Sequence, residues 1–258
     1  MSKPLVIILR APGTNCDLET EHAFQQAGAR TQRVHINRLM EAPGLASQAQ
    51  ILCLPGGFSY GDDIGAGRIF ASRLRHHHAD VLNDFKASGK LVLGICNGFQ
   101  VLVQTGLLFE QNESGPIATL TGNDSGKFED RWVRLTVDSD KCVMLRGVEE
   151  MYLPIAHAEG KFVVRGPEES DRLAKAGQLT LRYGTADMQP AVGYPENPNG
   201  SDESVAGVCD STGRVLGLMP HPERFIDRTQ HPRWTREDLP EVGDGMAVFK
   251  NAVSYFKE

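Results

Sequence analysis

Residues 90–104 read Lys90-Leu-Val-Leu-Gly-Ile-Cys-Asn-Gly-Phe-Gln-Val-Leu-Val-Gln104. Leu91 to Ile95 is a short apolar run, the pattern of a strand buried on both faces. Cys96 stands between Gly94 and Gly98, and Phe99, Leu102 and Val103 continue at helical spacing until Gly106. Strand, Gly-x-Cys-x-Gly, helix is the thiol form of a nucleophile elbow. A turn this sharp needs small flanking residues, because a Cβ on either side would clash as strand becomes helix. The following helix aims its positive N-terminal end at the sulfur, which favours the charged nucleophile. The same letters also fit a buried structural cysteine in a tight turn.

Working outward, Leu5 to Leu9 reads as a buried first strand, and Asp17 as the N-cap of a helix to Ala27 closed by Gly28. Arg30 to Ile36 alternates weakly, as an edge-side strand does, and Gln50 to Leu54 reads as a third buried strand. A helix over roughly Gly67 to Ser88 leads into the Cys96 strand. This order predicts an α/β fold with a doubly wound, mostly parallel central sheet flanked by helices. From about Ser114 the pattern changes. Trp132–Val137, Met151–Ile155 and Lys161–Arg165 alternate as antiparallel strands do. Ser204–Cys209 and Arg214–Met219 flank a hairpin turn at Asp210-Ser-Thr-Gly213, and a last helix spans about Asp244 to Phe256. We read residues 1–258 as a single domain with the second half continuing the first.

With 258 residues, 40% of them hydrophobic, the chain can bury a large core. A net charge of −6 offers no basic field for nucleic acid. The Arg73-to-His78 cluster reads as a solvated helix face. The first apolar run stops at Arg10, too short for a signal core or a membrane span. Five widely spaced cysteines without metal-ligand spacing predict reduced thiols in the cytosol, with neither disulfide nor metal site.

A nucleophilic cysteine needs a base, and the base needs an orienting acceptor. His221 lies in Gly217-Leu-Met-Pro-His-Pro-Glu223, just beyond a buried strand, where Pro220 and Pro222 forbid helix. Glu223, two residues on, can reach its Nδ1 proton. His157, in Pro154-Ile-Ala-His-Ala-Glu-Gly160, is a second-rank candidate, whereas His22, His35 and His231 have no supporting context. An oxyanion needs preorganised donors. The elbow supplies the Asn97 N–H, and the Pro55-Gly-Gly57 turn supplies another.

Taken together, Gly94-Ile-Cys-Asn-Gly98, the Pro-Gly-Gly turn and Pro-His-Pro-Glu resemble the class I (triad) glutamine amidotransferases. Pro12-Gly-Thr-Asn-Cys-Asp17, Pro55-Gly-Gly-Phe-Ser-Tyr-Gly-Asp62, Asn123 with Phe128 and Arg131, Pro154-Ile-Ala-His-Ala-Glu-Gly160 and Asn197-Pro-Asn-Gly-Ser201 extend the match to the glutaminase-subunit group of phosphoribosylformylglycinamidine synthases. The group usually has Gly where Ala158 stands, and Asp227 to Asp244 is longer than in compact members. The resemblance implies glutamine hydrolysis through a Cys96 thioester, with His221 as acid and base and Glu223 as its orienting partner. The N–H groups of Gly57 and Asn97 would form the oxyanion hole, and Gly56 and Gln100 would contact substrate. His157, Asn123 and Arg131 would face the partner or the ammonia path. Ammonia would pass to a separate synthetase subunit, with a small bridging subunit a further candidate partner. ATP and magnesium would belong to the synthetase, leaving no cofactor, nucleic acid or membrane contact for this chain. The alternatives are a cysteine hydrolase of the peptidase-like and stress-protein group, and a non-catalytic scaffold subunit. The first often places His directly after the elbow cysteine, where this chain has Asn97.

Overall fold

A computed structural model describes residues 3–109 and 115–257. The chain runs β1 (Leu5–Arg10), α1 (Asp17–Gln26), β2 (Arg30–His35), α2 (Ile36–Glu41), α3 (Gly44–Gln48), β3 (Ile51–Leu54), α4 (Arg68–Ala87), β4 (Leu91–Ile95) and α5 (Asn97–Thr105). It continues through β5 (Ala118–Thr121), β6 (Glu129–Val137), β7 (Glu150–His157), β8 (Lys161–Val164), α6 (Pro167–Lys175), β9 (Leu181–Gly184), β10 (Val205–Cys209), β11 (Val215–Leu218) and α7 (Met246–Ser254). A nine-stranded sheet has the order β2-β1-β3-β4-β11-β10-β9-β6-β7, and β5 pairs separately with β8.

The first five strands of that order are mutually parallel, and β10, β9, β6 and β7 add antiparallel neighbours. The expected doubly wound sheet is therefore present, parallel over its first five strands, and the antiparallel strands extend it into one mixed sheet. Burial follows position. β3, β4, β10 and β11 are buried at every residue, as strands covered on both faces must be, whereas edge strand β2 buries only Val34. The Asp210–Gly213 turn joins β10 to β11, with Gly213 N–H donating to Asp210 O at 3.0 Å. The expected change of pattern at Ser114 lies outside the described residues.

The parallel half has its switch point between β1 and β3, and ligand sites of such sheets form at the carboxyl ends of the strands. β3, β4 and β11 are consecutive neighbours, with Leu54 beside Gly94 and Ile95 beside Leu218. Their ends deliver the Gly56-Gly57 turn, Cys96 and the His221 turn side by side.

Several local expectations are corrected. Asp17 is the first residue of α1 and Cys16 its N-cap. The Asp17 carboxylate turns instead to Arg10 and Arg33, at 2.8 and 3.2 Å, while still complementing the helix dipole. His78 is not on a solvated face. The stripe Phe70, Leu74, His78, Leu82, Phe85 repeats with the helical period and carries it inward, leaving it 2% exposed. The last helix starts two residues after Asp244, whose carboxylate accepts from the Tyr152 N–H at 2.8 Å. The segment from Asp227 to Asp244 has a packing role: buried His231 sits edge-on to Trp132 and against Tyr152 and Phe225. All five cysteines are buried free thiols. Among the described residues, no helix is long and apolar enough to cross a membrane.

Candidate active site

Cys96 joins β4 to α5 with φ 49° and ψ −106°, a conformation that costs a non-glycine residue about 1–3 kcal/mol. The surroundings hold it there. Its N–H donates to Leu218 O at 2.8 Å, and its carbonyl accepts from Phe99 and Gln100. Both flanking glycines are sterically required. A Cβ on Gly98 would overlap the Leu54 carbonyl oxygen, and one on Gly94 would stand 2.7 Å from Gly98 O. Asn97 is the first residue of α5, where backbone amides lack intrahelical acceptors and remain free for an anion.

His221 Nδ1 lies 2.7 Å from Glu223 Oε1, with the two side chains 2% and 0% exposed. The His221 N–H is tied to Pro154 O, which fixes the turn against β7. Burial works against a charged His221, but Glu223 and then Cys96 outweigh it and hold the imidazole well above its ordinary range. Glu223 and Cys96 therefore favour the charged form of His221. Gly56 makes room for the ring, since a Cβ there would meet His221 Cε1 at 2.8 Å.

Gly57, at φ +137°, packs against the 13–15 turn, where a Cβ would lie 2.7 Å from Asn15 N. It faces Cys96 across a small cavity of about 50 Å³ that Phe58, Gln100, Phe128 and His157 also line. Pockets that enclose a small ligand measure roughly 300–1,000 Å³, so this one is too small to take glutamine without widening. Half-exposed Phe58 and Phe128 stand at its rim.

The other expected residues divide. The Gln100 amide is engaged at both ends, donating to Glu159 O at 2.7 Å and accepting from Asn97 Nδ2 at 3.0 Å. Asn97 in turn donates to Asp62, locking the 59–62 turn onto the elbow. Asn123 is buried beneath the pocket, where its Nδ2 donates to His157 O and Lys127 O and its Oδ1 accepts from Gly160 N. Arg131 is not brought to the pocket; it pairs with Glu129 and stacks over Tyr194. Sequence reasoning quoted Cys16 and Arg224 within motifs but gave them, and Glu19, no role beside His221 and Glu223. Arg224 follows Glu223 directly, but nothing local to Cys16 signals that it meets a histidine 205 positions away.

Burial lowers His157 from its ordinary 6.5 to about 3, with the His221 charge adding to the effect. A folded-state pKa below the unfolded one means that the unfolded chain takes up the proton first as pH falls. His157 therefore works against stability below about pH 6.5. Between pH 6.5 and pH 5, His157 costs about 2 kcal/mol. His221, with its raised pKa, contributes with the opposite sign over the same range, so the His157 effect is read as a difference: in urea unfolding, His157→Gln should gain about that amount of stability relative to the unsubstituted chain on going from pH 6.5 to pH 5.

The comparisons agree with this geometry. Residues 3–256 match the family model described as the CobB/CobQ-like glutamine amidotransferase domain. The chain is 46% identical over 259 residues to "Phosphoribosylformylglycinamidine synthase subunit PurQ" of Dehalococcoides mccartyi, covering all of both chains. It is 40% identical to the protein of that name from Methanococcus maripaludis, covering 99% of this chain and 98% of that one. A solved structure described as PurLQS from Thermotoga maritima superposes with TM-score 0.73 at 31% identity, over 99% of this chain and 100% of that one. An elbow cysteine, a His–Glu pair across the adjacent strand and a match over nearly every residue lead to one conclusion: the chain belongs to the CobB/CobQ-like glutamine amidotransferase domain family.

Proposed function

We propose that this chain is the glutaminase subunit of a phosphoribosylformylglycinamidine synthase. Its task is to hydrolyse glutamine and hand ammonia to a synthetase subunit that makes formylglycinamidine ribonucleotide in purine synthesis. The observation that carries the reading is the 2.7 Å His221–Glu223 pair set beside an elbow cysteine on neighbouring strands. The family description supports glutamine as substrate, and the relatives' names support a role as one subunit of that synthase.

In this reading the Cys96 thiolate attacks the side-chain amide carbon, and the carbonyl electron pair moves onto oxygen. The amides of Gly57 and Asn97 hold that oxyanion, with Gly56 keeping the approach open and Gln100 bracing the elbow. Protonated His221 gives its proton to the departing nitrogen, the carbon–nitrogen bond breaks, and ammonia leaves a thioester. His221, now neutral, takes a proton from water as it attacks, and the collapsing intermediate returns the Cys96 thiolate and glutamate. Glu223 holds the imidazole with Nε2 free for both transfers.

ATP and magnesium belong to the synthetase partner. A small bridging subunit completes the assembly, in keeping with a PurLQS structural neighbour. Residues 1–258 act as one domain in the cytosol, a reducing compartment that suits five free thiols. His157 and Asn123 shape the pocket floor on the ammonia side, and Arg131 lies on the surface that meets the partner. A peptidase-like hydrolase or a scaffold fits less well, because the matching family model is that of a glutamine amidotransferase domain and both named relatives are phosphoribosylformylglycinamidine synthase subunits.

The small cavity makes a direct test. Glutamate release by the isolated chain should be slow, and the synthetase subunit with its nucleotide substrates should raise it at least about tenfold by opening the pocket. Glutamate release that is equally fast with and without the partner would contradict a partner-gated glutaminase.

A further inference from the structure

Behind the catalytic pair, two distant parts of the chain bring four donor side chains together. Cys16 and Glu19 come from the start of α1, His221 and Glu223 from the turn after β11, and one ligand atom of each lies within 4.8 Å of the others. Cys16, His221 and Glu223 are buried, and Glu19 is partly so. Cys16 Sγ and His221 Cε1 crowd the same face of Gly56, 3.1 and 2.8 Å from where a Cβ would stand. Two enclosed atoms in the cluster, His221 Nε2 and Glu223 Oε2, have no hydrogen-bond partner.

The site already holds a positive group. Arg224 Nη2 lies 3.2 Å from Cys16 Sγ, and Arg224 Nε lies 2.9 Å from Glu19 Oε1. Both Arg224 and Glu19 side chains are about one-third exposed, at 35% and 36%, so the cluster opens to solvent along them. A thiolate, an imidazole and two carboxylates form the donor set of a borderline-soft divalent ion. Tetrahedral zinc with bonds of about 2.0–2.3 Å separates its ligand atoms by roughly 3.3–3.8 Å, so the cluster must contract by about 1 Å. Withdrawal of Arg224 would allow that.

We propose that Cys16, Glu19, His221 and Glu223 form an inhibitory site for a zinc-like divalent cation. The cation displaces the Arg224 guanidinium, and the Cys16 thiol and the protonated His221 imidazole each release a proton to solvent as it binds. Ligation of His221 removes the acid–base group from catalysis, so a bound ion stops turnover without touching the glutamine pocket. The sequence offers no metal-ligand spacing, because Cys16 and Glu19 are three residues apart on one element and their partners lie some 200 residues on.

Cobalt(II) is the probe for binding, measured on the full chain carrying Cys96→Ala so that the catalytic thiol contributes nothing. A thiolate-to-cobalt charge-transfer band should appear and saturate near one equivalent, and should vanish when Cys16→Ser is added. Absence of the band in the single variant, or its survival in the double variant, overturns the site. The second arm rests on the glutaminase reading, whereas the cobalt arm does not. In the complex with the synthetase subunit, Cys16→Ser should raise the half-inhibitory zinc concentration about 10–100-fold, each protein being compared with its own metal-free rate. Equal inhibition of both proteins would place the metal on Cys96 and His221 alone and overturn the proposal.

Discussion

Cys96→Ala should lower glutamine-dependent product formation by roughly 10³-fold or more while leaving ammonia-dependent formation by the same complex near its original rate. The loss is large because the thiol forms and breaks the covalent bond, and no neighbour can substitute. Cys16 also lies near His221, but it is the N-cap of α1 with its sulfur held by Arg224, outside the strand–helix turn that carries Cys96. The ammonia-dependent arm is preserved because alanine removes one sulfur from a buried, well-packed turn and leaves the docking surface intact. Rates with glutamine and with ammonium chloride, measured on the same preparation, separate the two. A scaffold subunit would lose neither activity, and a misfolded one would lose both.

Gly98→Ala should be among the most damaging small substitutions. Two effects oppose each other. Alanine favours the helix by about 1 kcal/mol over glycine, which alone would stabilise α5. Against it, the new Cβ would overlap the backbone oxygen of Leu54 in the adjacent strand β3. That oxygen belongs to a fully buried strand flanked by β1 and β4, so it has no free direction in which to retreat. Overpacking of this kind costs 1–3 kcal/mol where side chains can shift, and more where backbone must, so we expect a net loss of about 3 kcal/mol or more. For a chain of this size, that is a fall in Tm of roughly 6–12 °C. Thermal unfolding by calorimetry checks it. An unchanged or raised Tm would mean that propensity outweighs the clash and that the elbow is looser than described.

The elbow was legible because all its determinants are consecutive: an apolar strand, two small residues around a cysteine, and a helical repeat. The His221–Glu223 pair was legible for a similar reason, since two prolines fix the backbone and a separation of two residues suits the contact. The parallel half of the sheet followed from runs with no polar face, and Gly56-Gly57 from its place after such a run. What sequence could not show are relations set by topology. Whether alternating strands such as β6 and β7 form a separate sheet or extend the central one depends on which edge they meet. His78 looked solvated within a charged cluster, and only its register with Phe70, Leu74 and Leu82 places it inside. The Gln100 amide faces the protein because Glu159 and Asn97 offer partners that come from outside its helix turn and from the elbow itself. Cys16 came near the catalytic pair only when α1 and the β11 turn were folded together.

Site-specific trapping tests the central claim most directly. The complex with the synthetase subunit is exposed to an electrophile that mimics glutamine, with and without free glutamine. Intact mass and peptide mapping then locate the adduct. A single adduct on Cys96, suppressed by glutamine, establishes the nucleophile and the substrate in one experiment, and it is the expected result. Labelling spread over Cys16, Cys53 and Cys209, or an adduct that glutamine does not suppress, would contradict the assignment of Cys96, His221 and Glu223 as a glutaminase triad.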